Sequence, residues 1–252
     1  MESDGLVHAF TTRTGGVSEG PYASLNLTRS RGDDPARIAT NRERARSALG
    51  LDHLVFATQV HGRAVIRVEG PPRGDQPAGE ADALITDQAG IGLVCQTADC
   101  TPILLFDPVH RAIAAIHSGW RGTVQDIVTA TLDAMGDAYG TKAGEVLAAI
   151  GPSISPANYR VGPEVVAEFE AVFSDVSGIV SPKDADGGAQ LDVGEACRRQ
   201  LCAAGVPDAS IWRSDLCTYA EESRLFSARR SHHRGESGVF GGQAGIIGLK
   251  TV

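Results

Sequence analysis

The chain has 252 residues, 42% of them apolar and 21% charged, with a formal net charge of −8. That balance suits a folded globular chain and excludes one that is disordered or coiled-coil throughout. The negative charge argues against nonspecific nucleic-acid binding, which needs clustered Lys and Arg, but leaves small anionic ligands open.

No stretch approaches the ~20 apolar residues needed to span a bilayer. The opening "MESDGLVHAF" has no apolar core and does not read as an export signal. The expectation is therefore a cytoplasmic protein with no membrane partner. Its five cysteines, an odd number, read as free thiols or a metal ligand and not as a disulfide framework.

In chain order, "RIATNRERARSALG" (37–50) predicts a helix closed by Gly50. Strand-like runs follow at 53–60, 63–68, 82–86, 91–97, 102–107 and 112–117, interrupted by a linker-like stretch at 69–82. "DPVHR" (107–111) reads as a hairpin link, which implies an antiparallel pair. A helix is predicted over 123–140, with Thr123 and Asp126 at capping-box spacing. A strand at 146–151, helices at 162–173 and 191–205, and strands at 210–214 and 244–249 complete the pattern. Most strand runs are continuously apolar, as expected where both sheet faces are covered. The fold class is α/β (α+β), a sandwich in which helices cover mixed sheet.

Three residues stand at strand ends beside tight turns: His61 in "TQVHG", Cys100 in "TADC" and His117 in "AAIHSGWRGT". Together they offer two imidazoles and a thiolate. Zinc takes such a set and keeps a fourth position for water or substrate. The separations are 39 residues (100−61) and 17 residues (117−100), unlike a zinc finger, so the fold must assemble the site. By spacing alone, each of the three is more often a packed or hydrogen-bonded residue.

A longer set of blocks resembles one family. These are "FTTRTGGVSEGPYASLNL" (10–27), "NRERARSALGL" (41–51), "TQVHG", "ADALIT" (81–86), "TADCTPILLFDP" (97–108), "AAIHSGWRGT", "AIGPSI" (149–154) and "CTYAEESRLFSARR" (217–230). They resemble the laccase-domain family, also called multicopper polyphenol oxidases or peptidoglycan editing factors and now read as YfiH-like, zinc-dependent purine nucleoside phosphorylases. The resemblance implies one domain over 1–252, a sandwich of mixed sheets flanked by helices. It implies zinc held by His61, Cys100 and His117. It implies a purine nucleoside and phosphate as partners, with adenosine deaminase and methylthioadenosine phosphorylase as related activities. Oligomeric state is left open.

Phosphorolysis needs bound phosphate, an oriented sugar and a stabilised leaving base. Arg13 and Arg121 are candidates for phosphate, as planar donors. Asn26 and Gln59 are candidates for sugar or base, and Trp120 for stacking on a purine. Asp99, beside Cys100, is the candidate acid/base group for deamination, since the cytidine-deaminase signature is missing. Salt bridges, turn hydrogen bonds and ordinary packing are the plainer readings of these residues.

The sequence departs from the family pattern at Gly242, where an arginine is usual, at Arg160, where a glutamate is usual, and in an insert at 231–239. Arg230 and Arg234 are candidates to replace the arginine. The pair His232-His233 reads as exposed loop.

Four rival readings stay open. Copper is an alternative occupant of the same three ligands, and a copper-dependent polyphenol oxidase is one reading. However, seven histidines with no His-x-His are too few for a multicopper cluster. A cysteine hydrolase would use Cys100 as nucleophile and His117 as base. A peptidoglycan-precursor editing hydrolase is the third reading, and a structural zinc scaffold the fourth.

Overall fold

The structure is a computed structural model that describes residues 5–251 apart from Ser30, Arg73 and Asp75. In chain order the elements are β1 (Leu6–Phe10), α1 (Pro35–Leu49), β2 (His53–Phe56), β3 (Val65–Arg67), β4 (Ala83–Thr86), β5 (Ile91–Thr97), β6 (Thr101–Asp107) and β7 (Ala112–Ser118). They continue as α2 (Trp120–Val124), α3 (Ile127–Tyr139), β8 (Leu147–Ile150), β9 (Arg160–Val161), α4 (Pro163–Val172), β10 (Ala189–Gln190), α5 (Val193–Ala203), β11 (Ile211–Arg213), α6 (Ala228–His233) and β12 (Gln243–Leu249).

Two mixed sheets stack face to face. One has the order β1-β12-β5-β2, the other β11-β8-β6-β7-β4-β3, while β9 and β10 form a separate two-stranded ribbon. The period of two along β6 sorts its side chains between two cores. Leu104 and Phe106 face the layer between the sheets, with Leu93 and Ile247 opposite. Ile103 and Leu105 face the helical layer, where Val128 and Leu132 of α3, Val166 and Phe169 of α4, and Cys197 and Leu201 of α5 cover the sheet. On the outer face of the smaller sheet, Ala45 of α1 packs with Val94 and Ile246. The sandwich flanked by helices is thus the observed architecture, and every residue of β6 and β7 is buried, as their unbroken apolar runs require.

The "DPVHR" link joins β6 to β7 as an antiparallel pair, Thr101 opposite Ser118 and Asp107 opposite Ala112. The expected helix over 123–140 is instead two helices. Asp126 takes a left-handed conformation (φ 57°) that ends one, and its side chain caps the other by accepting from Thr129 N–H. Thr123 is therefore not a cap. Its hydroxyl donates to the Gly119 carbonyl at 2.9 Å, inside α2. Asp192 caps α5, accepting from Glu195 N–H at 2.8 Å. His232 and His233 lie in α6 and not in a loop, because Ser227 caps a turn of helix by accepting from Arg230 N–H. Among the described residues, no helix is long and apolar enough to cross a membrane.

Candidate metal centre and its cavities

The β6–β7 pairing brings Cys100, just before β6, alongside His117 near the end of β7. His61 arrives from the turn after β2, in a left-handed backbone conformation (φ 60°). A non-glycine residue held there is uncommon and must be fixed by its surroundings. Asp82, the residue just before β4, does the fixing. Its carboxylate accepts from the N–H groups of Val60 (3.2 Å), His61 (3.0 Å) and Gly62 (2.7 Å). It also accepts from His117 Nδ1 at 2.8 Å. One buried carboxylate thus sets the backbone of one histidine and the ring of the other.

With Nδ1 committed to Asp82, His117 presents Nε2. One donor atom from each of His61, Cys100 and His117 lies within 4.8 Å of the others, and Cys100 Sγ is 3.8 Å from His61 Nε2. Tetrahedral zinc with bonds of about 2.0–2.3 Å places its ligands roughly 3.3–3.8 Å apart, so the set fits such an ion. Gly119 leaves room for it. A Cβ there would lie 2.9 Å from the His61 ring and 3.0 Å from Cys100 Sγ.

The charges are coupled. Burial pushes the Cys100 thiol up, but the His117 charge and hydrogen bonds from both histidines outweigh it and bring the thiol down to about 6. Burial pushes His117 down, and the Cys100 thiolate and Asp82 outweigh that, raising the imidazole to about 9. Burial also opposes ionisation of Asp82, yet bonds from His117 and the Gly62 N–H leave its carboxyl below the usual range. A metal-free centre at neutral pH therefore holds a thiolate beside an imidazolium. A cation held by these three residues would take the place of that proton.

Two cavities flank the centre and share His61, Ala98, Cys100 and Ala228. One, of about 320 Å³, is lined by Arg29, Arg31 and Arg42 together with Phe56 and Phe240. The other, of about 290 Å³, is lined by Trp120, Tyr159, Arg121, Arg229 and His232.

The expected substrate residues are dispersed. Gln59 lines the arginine-rich cavity, but its amide is bound to the backbone of Gln96 through two bonds of 2.8 Å. Arg121 lines the aromatic cavity, its guanidinium 4.3 Å from the Trp120 ring centre. Asp99 lines it too, with its carboxylate accepting from Thr218 Oγ1 (2.6 Å) and Arg229 N–H (2.7 Å). Asn26 is fully buried. Its oxygen accepts from Thr28 and Gly242 N–H and its nitrogen donates to Asp33 and the Thr28 carbonyl, so its amide is fully spent on the loop.

Arg13 donates to the carbonyls of Ala23 and Glu222 and lines a third cavity with Arg230 and Arg234. That cavity contains none of the three metal-centre residues, so Arg13, Arg230 and Arg234 are not brought to the centre. Gly242 does line the arginine-rich cavity, where a Cβ would lie 2.2 Å from Thr28 Oγ1. Arg160 turns outward to Asp184 and Asp186.

Sequence reasoning missed Asp82, the loop arginines Arg29 and Arg31, Arg42 of α1, and Tyr159. For Asp82 a signal existed, an acid directly before a continuously apolar strand. Asp is rarely buried unless bonded, and this one is 2% exposed.

These features define an α/β sandwich with a two-histidine, one-cysteine centre set at strand ends between two cavities. Residues 7–250 match the family described as multi-copper polyphenol oxidoreductase laccase, and the chain belongs to that family. A purine nucleoside phosphorylase of Bacteroides thetaiotaomicron is 40% identical over 234 residues, 89% of this chain and 86% of that protein. An adenosine deaminase, RL5, from an unknown prokaryotic organism is 38% identical over 233 residues, 89% of this chain and 88% of that protein. The crystal structure of the Bacillus licheniformis hypothetical protein YfiH superposes with a TM-score of 0.90 at 29% identity, over 98% of this chain and 94% of that one.

Proposed function

We propose that this protein is a zinc-dependent purine nucleoside phosphorylase with adenosine deamination as a second activity of the same centre. The observation that carries the reading is the braced His61–Cys100–His117 group, of which His61 and Cys100 line both of two cavities of different chemistry. A reaction between a nucleoside and phosphate needs two adjoining subsites that meet at one centre. The relatives named for these two activities supply the reaction classes.

In this reading the nucleoside occupies the aromatic cavity, with the base against Trp120 and Tyr159. Phosphate occupies the other cavity, attracted by Arg29 and Arg31. The bond from sugar C1′ to the purine nitrogen breaks and a bond to a phosphate oxygen forms. His61, Cys100 and His117 hold the zinc, which when bound supplies a Lewis acid between the cavities. Asp82 keeps both histidines in place, while Asp99 holds the Thr218–Arg229 segment over the aromatic cavity. Five unpaired thiols support a reducing, cytoplasmic setting.

A second reading rests on Cys100, His117 and Asp82, which stand as nucleophile, base and orienting carboxylate in the metal-free protein. Zinc binding consumes that nucleophile, so metal content separates the two readings. A multicopper cluster finds no support among the described residues, where each group of candidate ligands has three members.

Product analysis tests the proposal. Zinc-loaded protein is incubated with inosine and with adenosine, with and without phosphate. Phosphate-dependent release of free base is expected from both. Inosine formed from adenosine in the absence of phosphate reports the deaminase activity. Base release that ignores phosphate contradicts phosphorolysis.

A further inference from the structure

The opposite ends of β6 and β7 carry a second group of ligand-type side chains that the proposed reaction does not use. Asp107 closes β6 and is fully buried, His110 stands in the hairpin turn, and Glu145 lies just ahead of β8. One donor atom from each lies within 4.8 Å of the others. Seven residue steps from Cys100 to Asp107, along β6, put this group about 23 Å from Cys100.

Asp107 Oδ1 accepts from the N–H groups of Val109 (2.8 Å) and His110 (3.1 Å). Its Oδ2 lies 2.8 Å from His110 Nδ1. Two further oxygens are shielded from solvent and have no hydrogen-bond partner, Thr141 Oγ1 and Glu145 Oε2. Thr141 is 8% exposed, and its hydroxyl lies beside the Asp107 carboxylate. Buried polar oxygens are nearly always bonded, and a cation that accepts both satisfies them at once.

We propose that Asp107, His110, Thr141 and Glu145 form a second divalent-cation site, distinct from the cysteine centre. One imidazole nitrogen and three oxygens, without sulfur, suit a first-row ion of the manganese or zinc type and leave positions for water. The His110 nitrogen that binds the ion is the unprotonated one. The ion clips the β6–β7 hairpin to the connection between α3 and β8. It contributes to stability and takes no part in turnover.

The test uses full-length protein stripped of metal, dialysed against cobalt(II) and analysed for metal per chain and for the thiolate–cobalt absorption band. Wild type is expected to retain two cobalt ions. Glu145→Gln retains one, keeps the thiolate band and keeps wild-type activity. The double variant His61→Ala/Cys100→Ala retains one ion without the band. Manganese is expected to raise the unfolding midpoint of wild type and to leave that of Glu145→Gln unmoved. Circular dichroism confirms that each variant is folded. One cobalt per chain in wild type, none in the double variant, or two in folded Glu145→Gln would each overturn the proposal.

Discussion

β6 and β7 end in polar, ligand-type side chains at both extremities, and the two ends are built differently. At one end Asp82 spends its carboxylate on three backbone N–H groups and the His117 ring, and Gly119, lacking a Cβ, lets the backbone pass close to His61 and Cys100. At the other, Asp107 is buried but His110 and Glu145 are about one-third exposed. The same strand pair thus presents a preorganised, mostly enclosed centre and a shallow, half-open one. Preorganisation in a site shielded from water is what gives charged groups chemical leverage. That contrast supports the proposal that reaction belongs to the Cys100 end and reinforcement to the Asp107 end.

The comparison breaks most decisively at Cys100. Cys100→Ala removes the thiolate ligand, and base release is expected to fall by about 10³-fold or more with loss of zinc. Glu145→Gln, measured beside it, is expected to leave base release unchanged. Equal losses in the two variants would erase the distinction between the ends.

Gly119→Ala tests the close approach. The added methyl group presses on His61 and Cys100, and misplacing a catalytic group by a fraction of an ångström to one ångström costs about 10²-fold in kcat. Asp82→Asn removes the charge that orients both histidines, and zinc affinity measured by chelator competition is expected to drop about 10–100-fold. Arg31→Ala removes one cation from the arginine-rich cavity. The KM for phosphate is expected to rise about 10-fold with the nucleoside KM little changed, as for loss of one charge-assisted hydrogen bond.

The smallest effect is a shift along the pH axis. In metal-free protein the alkylation rate of Cys100 is expected to rise with pH through a midpoint near 6, because the thiolate forms there. His117→Ala removes the imidazolium that favours the thiolate. The midpoint is then expected to move upward, toward an ordinary thiol near ~8.5. An unmoved midpoint would show that His117 does not carry the charge beside Cys100.

The strands of the sandwich were legible because burial on both faces leaves an unbroken apolar run, and the predicted 91–97 strand coincides with β5. The division of 123–140 was not legible. A left-handed Asp126 breaks the helix without glycine or proline to announce it. β1 was missed because "LVHAF" is short and half-buried, with His8 at its centre. The three candidate ligands were visible as strand-end residues, but their convergence depended on the β6–β7 pairing and on a turn fixed from Asp82, more than 20 residues away in sequence from His61. The arginine-rich cavity draws Arg29 and Arg31 from a loop and Arg42 from α1. Periodicity carries no information about which surface cations a fold will gather.

The most direct test is a zinc titration of metal-stripped protein, with phosphate-dependent base release and Cys100 alkylation read at each addition. A zinc centre at His61, Cys100 and His117 predicts that activity rises in proportion to the first equivalent of zinc while Cys100 becomes protected in parallel. Full activity before any zinc is added, or full activity with Cys100 still open to alkylation, would contradict it.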